Sequence, residues 1–327
     1  MKWSGKSVLV TGAGGFIGSH LTEALAKRGA RTKAFVHYNA LGNCGWLDDS
    51  PFKKRIEIVA GDIRDRSTIE QAMKDVDIVF HLAALIAIPY SYQTPESYVS
   101  TNIGGTLNIL QAARRLKPER IIFTSTSEVY GTARYVPIDE NHPLQAQSPY
   151  SASKIGADKL VEAFCRSFNL PAVTVRPFNT FGPRQSARAI VPTIIIQCLT
   201  GKTVRLGNHY PVRDLNYVSD VVEGFLLAAH SKKVMGRTIN LGSGTIIRIY
   251  DLAKLIAKLM NKRITIVSDS RRIRPSASEV ECLQADHRLA RELTGWEPRY
   301  SLEEGLRLTT RWMKKHPERY GSNLYAV

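Results

Sequence analysis

Tyr150 and Lys154 bracket the segment Tyr-Ser-Ala-Ser-Lys, and the triplet Thr126-Ser127-Glu128 closes an apolar run earlier in the chain. On a helix, residues four apart project from one face, and a fixed ammonium beside a phenol favours the phenolate. A free tyrosine, with a pKa of about 10, is a poor base at neutral pH, so this pairing makes Tyr150 a candidate base. On an extended segment Thr126 and Glu128 would face one ligand while Ser127 faces away. The set suits removal of a proton and a hydride from one carbon and then of a proton from its neighbour. Glu128 is the informative member, because plain alcohol oxidation requires no such carboxylate. An arbitrary strand-end glutamate is a solvated charge. Its company, Thr126 and the Tyr/Lys pair, makes this one a catalytic candidate.

These residues need a scaffold, and the first half of the chain provides an alternation. Candidate strands fall at residues 7–10, 32–37, 56–60, 78–81, 120–124 and 172–176, with helical patterns at 16–28, 67–74, 95–116 and 150–168. The alternation predicts an α/β fold, a doubly wound, Rossmann-like parallel sheet with a ligand crevice beyond the carboxyl ends of its strands. Residues 1–177 are expected to form the dinucleotide-binding domain. Residues 178–327, with helical patterns at 218–230, 250–260, 286–294 and 302–314, are expected to form mainly a smaller α/β substrate cap, some segments returning to the first domain. Apolar stripes on 95–116 (Val99, Ile103, Leu107, Leu110) and 150–168 (Ile155, Leu160, Val161, Phe164, Phe168) suit packing on the sheet or, alternatively, a subunit interface.

The segment Gly12-Ala-Gly-Gly15-Phe16-Ile17-Gly18 follows a strand and opens a helix, the context in which a glycine pattern marks a dinucleotide site. Gly12, Gly15 and Gly18 permit a tight turn, close approach to a pyrophosphate and close helix packing. Asp62-Ile63 follows the third strand, where a carboxylate can accept from an adenine amine, although Asp62 alone reads as a turn or cap residue. Leu82, Ala83 and Ala84 follow the fourth strand and suit the cofactor's path. The second strand ends at His37 with no Asp or Glu to repel a 2′-phosphate, and Lys33 and His37 are basic. The expected cofactor is therefore NADP or NAD, tightly bound and recycled, with NADP favoured.

At 327 residues, 43% hydrophobic and 23% charged, the composition is that of a folded globular chain. No leader-like segment precedes the first strand, and the apolar run 190–199 is too short to span a bilayer and is interrupted by Pro192 and Gln197. A cytoplasmic protein without a membrane partner is expected. Cys44, Cys165, Cys198 and Cys282 are scattered without metal-ligand spacing, so no metal site is predicted. The net charge of +16 is dispersed instead of blocked with aromatics, which reads as a basic surface and not a nucleic-acid site.

Taken together, the glycine loop, Asp62, the segment Thr-Ser-Glu-Val-Tyr-Gly from Thr126, the Tyr150/Lys154 pair, the run Arg176 to Arg184 and the run Arg213 to Asp220 resemble the extended short-chain dehydrogenase/reductase family. Within it the chain is most similar to nucleotide-sugar 4,6-dehydratases, and residues 37–49 and 124–158 look most like those acting on nucleotide-linked N-acetylglucosamine in legionaminic-type pathways. The resemblance implies that Thr126 holds the sugar's 4-hydroxyl, Tyr150 takes its proton, and Lys154 supports Tyr150 and the nicotinamide ribose. It also implies that Asn179, Arg213 and Arg274 contact the nucleotide diphosphate, and that the protein is a homodimer. Arg274 also reads as part of a solvated basic loop. Once C4 of a hexose is a ketone its C5 proton is acidic, so Glu128 is suited to remove it while the C6 hydroxyl departs as water. Some relatives carry an acid at the position of Ser127, so here Glu128, or a water, must protonate the leaving hydroxyl. A 4-epimerase has no need of Glu128, a decarboxylase shares both the C4 oxidation and similar Ser-Glu segments but should pin its substrate's carboxylate with a cation, and a dinucleotide-sensing protein would dispense with the Tyr/Lys pair.

Overall fold

A strand covered on both faces must be apolar at nearly every position, and β1 (Ser7–Thr11) is buried along its whole length. In the computed structural model, which describes residues 2–320, Val8 and Val10 pack with α1 (Phe16–Lys27) in one apolar cluster, while Leu9 packs in a second on the opposite face. The chain continues through β2 (Arg31–His37), β3 (Ile56–Gly61), α2 (Arg66–Met73), β4 (Ile78–His81), α3 (Ile88–Gln93), α4 (Pro95–Tyr98), α5 (Gly105–Leu116), β5 (Arg120–Thr124), α6 (Pro149–Phe168) and β6 (Ala172–Pro177). There follow β7 (Asn179–Phe181), α7 (Ile190–Thr200), β8 (Thr203–Leu206), β9 (Val212–Tyr217), α8 (Val218–His230) and β10 (Thr238–Leu241). The described chain is completed by β11 (Ile246–Arg248), α9 (Ile249–Leu259), β12 (Thr265–Ser268), β13 (Cys282–Leu283), α10 (Arg288–Thr294) and α11 (Leu302–Lys315), beside several short 3₁₀ turns.

The main sheet has seven strands in the order β3-β2-β1-β4-β5-β6-β10, every neighbouring pair parallel. The order reverses at β1, so the carboxyl ends of β1 and β4 flank the crevice where such sheets bind ligands. The expected α/β class is thus the observed one. Strand β10 comes from the second half of the chain, whereas β7, β9, β11 and β13 form a separate small sheet and β8 pairs with β12.

Three local expectations need correction. The helix expected over 95–116 is interrupted by a π turn over Val99–Gly104, which resets the register. Its packed face is therefore Ile109, Leu110 and Ala113, and Val99 is 53% exposed. The apolar run 190–199 forms the continuous helix α7, because Pro192 lies in its first turn, where its missing N–H has no intrahelical partner to lose. The pattern expected over 286–294 begins as a helix at Arg288. Helix α6 starts where the sequence places it. Ser148 caps it in a reciprocal capping box with Ser151, Pro149 occupies the first turn, and Asn169 ends it with a φ of 51°.

The edge strand β10 is tied to the preceding loop by Glu140, whose carboxylate accepts from the Asn240 amide at 2.7 Å. Burial, reinforced by the nearby Asp286 and Asp139, raises Glu140 to about 7. A carboxyl whose folded value lies above its unfolded one stabilises the fold below the unfolded value, and that contribution is lost as pH rises through about 7. Glu140→Gln, which keeps the acceptor, should therefore stabilise the protein by about 1–3 kcal/mol at pH 8 and much less at pH 5. Denaturant unfolding at the two pH values measures this, and an equal effect at both would contradict it.

Candidate active site

The glycine loop folds as its composition requires. Gly12 has a φ of +68°, and a Cβ there would lie 2.8 Å from the Ala83 nitrogen. A Cβ on Gly18 would strike the Gly12 carbonyl oxygen. Only glycine lets β1, α1 and the segment after β4 approach so closely. The first turn of α1 contains Phe16 and Ile17, with Gly15 at its cap, no side-chain cap and no acidic residue, leaving its N–H groups free for an anion. Leu82 and Ala83 are fixed by their amides, which donate to Thr11 Oγ1 at 3.2 and 3.1 Å, and Ala84 beside them is half-buried. His81 joins Thr11 and Thr106 across this floor, and burial with the nearby Lys154 charge holds it down at about 3, a neutral ring.

Around the expected adenosine end the structure is more specific than the sequence. His37 ends β2 and is exposed. Lys33 turns away, donating to the Lys74 carbonyl at 3.0 Å. Asp62 is gripped by Arg64, which donates through Nε to both carboxylate oxygens at 3.0 Å, so an adenine amine would share an occupied acceptor. Ile63 is buried core, its carbonyl accepting from Asn108.

At the carboxyl end of β5 the chain leaves the sheet in a 3₁₀ turn over Ser127–Tyr130, not the extended segment expected. Thr126 caps it, Oγ1 accepting from the Glu128 amide at 3.2 Å. The turn preserves the expected sidedness: Thr126 and Glu128 are half-buried and Ser127, 2% exposed, lies beneath them. Ser127 is therefore buried away from its two neighbours, on the side the sequence expects. Helix α6 brings Tyr150 against this turn. The Thr126 hydroxyl and the Glu128 charge both act on the Tyr150 phenol, the first lowering and the second raising it, and Glu128 in turn acts on Arg213. Thr126, Glu128, Tyr150 and Arg213 are thus one constellation built from β5, α6 and β9.

Lys154 departs from expectation. Its ammonium donates to the Thr124 carbonyl at 2.7 Å and lies 4.7 Å from the Phe123 ring centroid. Burial lowers it to about 8, opposed by Asp158. Tyr150 is pushed above the ordinary tyrosine value by burial, with Thr126 the main opposing influence. The expected lowering of the phenol by an adjacent ammonium is therefore not the arrangement found, because a strand-end carbonyl captures the amine.

In the small sheet, Asn179 pairs with Leu215 in the β7–β9 register, and Arg213, two residues before Leu215, shares that face. Arg213 is buried and donates to Glu279 at 3.2 Å, and Arg274 lies 3.9 Å from the same carboxylate oxygen. Glu279 thus gathers the two arginines, a role that its place five residues after Arg274 did not announce. Asn102 was also missed. Buried in the π turn, its side chain accepts from Leu85 N and donates to Leu85 O and Ser153 Oγ, tying the segment after β4 to α6. A cavity of about 530 Å³ lies elsewhere, lined by Glu140, Asp158, Arg176 and Arg237 among others, and includes none of Thr126, Glu128 or Tyr150. The four cysteines are free, and among the described residues no cluster fit to hold a metal occurs.

A parallel sheet with a glycine loop at its switch point and a Tyr/Lys helix against a Thr/Glu turn defines an extended short-chain dehydrogenase/reductase. The family model for GDP-mannose 4,6-dehydratase matches residues 9–309, and the chain belongs to that family. It is 30% identical over 317 residues to a putative UDP-glucose 4-epimerase of Methanocaldococcus jannaschii, covering 94% of this chain and 99% of that one. It is 32% identical over 330 residues to a UDP-N-acetyl-α-D-glucosaminuronate decarboxylase of Bacillus cytotoxicus, covering 95% and 98%. The solved dTDP-glucose 4,6-dehydratase of Streptomyces venezuelae, with NAD bound, superposes with a TM-score of 0.87 at 27% identity, covering 95% and 98%. The chain is accordingly an enzyme of the nucleotide-sugar dehydratase, epimerase and decarboxylase group.

The lowered Lys154 value has a consequence for stability. Its folded value of about 8 lies below the usual lysine value, so the buried amine destabilises the fold at pH 7 and does so less as pH rises past 8. Lys154→Met should lose activity by about 10²-fold or more. The same variant should gain about 1–3 kcal/mol at pH 7, a gain that shrinks above pH 8. Unfolding curves across that range test it, and a variant destabilised equally at every pH would contradict it.

Proposed function

We propose that this enzyme is a nucleotide-sugar 4,6-dehydratase acting on a nucleotide-linked N-acetylglucosamine, with residues 178–327 supplying most of the sugar-nucleotide cap. The observation that supports the reading is that Glu128, on the turn packed against α6, is near enough for its charge to act on both the Tyr150 phenol and Arg213. A carboxylate there is superfluous for epimerisation at C4 and necessary for removing a proton from C5.

The close-packed glycine loop and uncapped α1 fit a nicotinamide dinucleotide, held by Gly12, Gly15, Gly18 and the Leu82–Ala84 segment. When bound, that group would supply hydride transfer, accepting at C4 and donating at C6. The protein's own groups handle the protons. Thr126 and Tyr150 take the 4-hydroxyl between them, and Tyr150 receives its proton, with Lys154 one helical turn away as the nearby cation. Glu128 removes the C5 proton once C4 is a ketone, then passes that proton to the C6 hydroxyl, which leaves as water. C5 is finally reprotonated from solvent, balancing the proton lost from the 4-hydroxyl. Asn179, Arg213 and Arg274 hold the diphosphate, where arginine forks match phosphate oxygens. The end of β2 carries no acid, so we propose that NADP is bound at least as tightly as NAD, and that two copies pair through the outer faces of α5 and α6.

Incubation with UDP- and GDP-linked N-acetylglucosamine, followed by mass spectrometry, should give a product lighter by one water. Unchanged mass with inverted C4 stereochemistry would assign epimerisation instead, and loss of carbon dioxide from a uronate substrate would assign decarboxylation. Glu128→Gln should bind cofactor normally and lose water elimination by about 10²–10⁴-fold. Full dehydration by that variant would remove Glu128 from the mechanism. Titration with both dinucleotides tests cofactor choice, and NAD binding clearly tighter than NADP would contradict the preference.

A further inference from the structure

Arg176 sits where the separate carriers of the site meet. Its Nε and Nη2 donate to Asp158 Oδ2 at 3.1 and 2.8 Å, and its Nη1 donates to the Tyr130 phenol oxygen at 2.9 Å. That phenol donates onward to Asn240 Oδ1 at 2.7 Å, and Asn240 is the register partner of Arg176 on the neighbouring strand β10. All four side chains are buried.

The endpoints of this network matter more than its strength. Asp158 lies on α6, one helical turn beyond Lys154 and two beyond Tyr150, on the same face. Tyr130 closes the turn that carries Glu128 two residues earlier. Helix and turn come from different parts of the chain, and the guanidinium, with donors in a fixed planar fork, joins them at a set distance and angle. Stability alone is a poor reason to keep such a group, since a buried ion pair is often replaceable by well-packed apolar residues. Asp158 Oδ1, moreover, lacks a hydrogen-bond partner. A phenylalanine would fill the position of Tyr130 but could not accept from Arg176.

We propose that Arg176, with Asp158 and Tyr130, is a positioning clamp that sets the register between the Tyr150 phenol and the Glu128 carboxylate, and thereby couples oxidation at C4 to proton removal at C5. None of the three touches the reacting atoms. They act by holding two groups, each competent alone, at the spacing that adjacent carbons of one sugar require. A misplacement of about 1 Å is enough to cost about 10²-fold in rate.

The inference rests on the dehydratase reading, so wild-type turnover is measured first, on the full chain with cofactor and nucleotide-linked N-acetylglucosamine. Tyr130→Phe then removes one oxygen and leaves the Arg176–Asp158 ion pair and its charges in place. This variant should bind cofactor and substrate as the wild type does and fold with native circular dichroism. Formation of reduced nicotinamide, followed by absorbance in a single turnover, should be nearly unchanged, while release of water falls about 10–10²-fold. Reduced cofactor should therefore accumulate in the steady state, a signature that loss of stability alone does not produce. Rates of both half-reactions that are unchanged, or that fall in proportion without accumulation, would overturn the clamp. A wild type that oxidises but never eliminates water would overturn the dehydratase reading and the clamp with it.

Discussion

A buried amine with one carbonyl for a partner sets the terms of this site. Lys154 is 4% exposed, and its ammonium is committed to the carbonyl of Thr124, the last residue of β5. That bond pins α6 to the carboxyl end of the sheet, where the parallel register of β4, β5 and β6 brings Thr124 level with Val175. The turn that starts at Thr126 must then leave β5 directly beneath Tyr150. The neutral His81, the Thr11 contacts to Leu82 and Ala83, and the Asn102 bridge fix the remaining wall. An amine in so dry a place carries its charge reluctantly, which is a stability cost accepted at a functional site.

Much of the scaffold was legible in the sequence because it rests on local rules. Strands buried on both faces read as apolar runs, Gly12 and Gly18 mark backbone contacts that no side chain permits, and the helical pattern over 150–168 marks α6. The illegible parts depend on partners distant in sequence. The π turn forms around Asn102, whose partners are Leu85 and Ser153. The ammonium of Lys154 follows a carbonyl thirty residues earlier instead of the phenol four residues away, a choice that spacing on a helix does not reveal. Glu279 carries no signal of its own in the sequence, because its partner Arg213 lies 66 residues earlier, on β9. Thr126 and Glu128 share a side, as expected, but through a capped turn and not through strand alternation.

Likeness to known proteins defines a group of nucleotide-sugar enzymes with different activities. Epimerase, decarboxylase and dehydratase relatives match this chain at comparable identity. The choice among them rests on what stands next to the oxidised carbon. In the dehydratase reading proposed here that is the Glu128 carboxylate, with Ser127 buried, so Glu128 as base toward C5 is also the acid toward the departing hydroxyl, or a water takes that second part.

The fate of the hydrogen on C4 tests this account most directly. With substrate deuterated at C4 and product examined by nuclear magnetic resonance, intramolecular return places the label on C6 of a 4-keto-6-deoxy sugar, which is the predicted result. Label found back on C4 would mean that the ketone is simply reduced again, and would contradict the assignment of Glu128 to chemistry at the adjacent carbon.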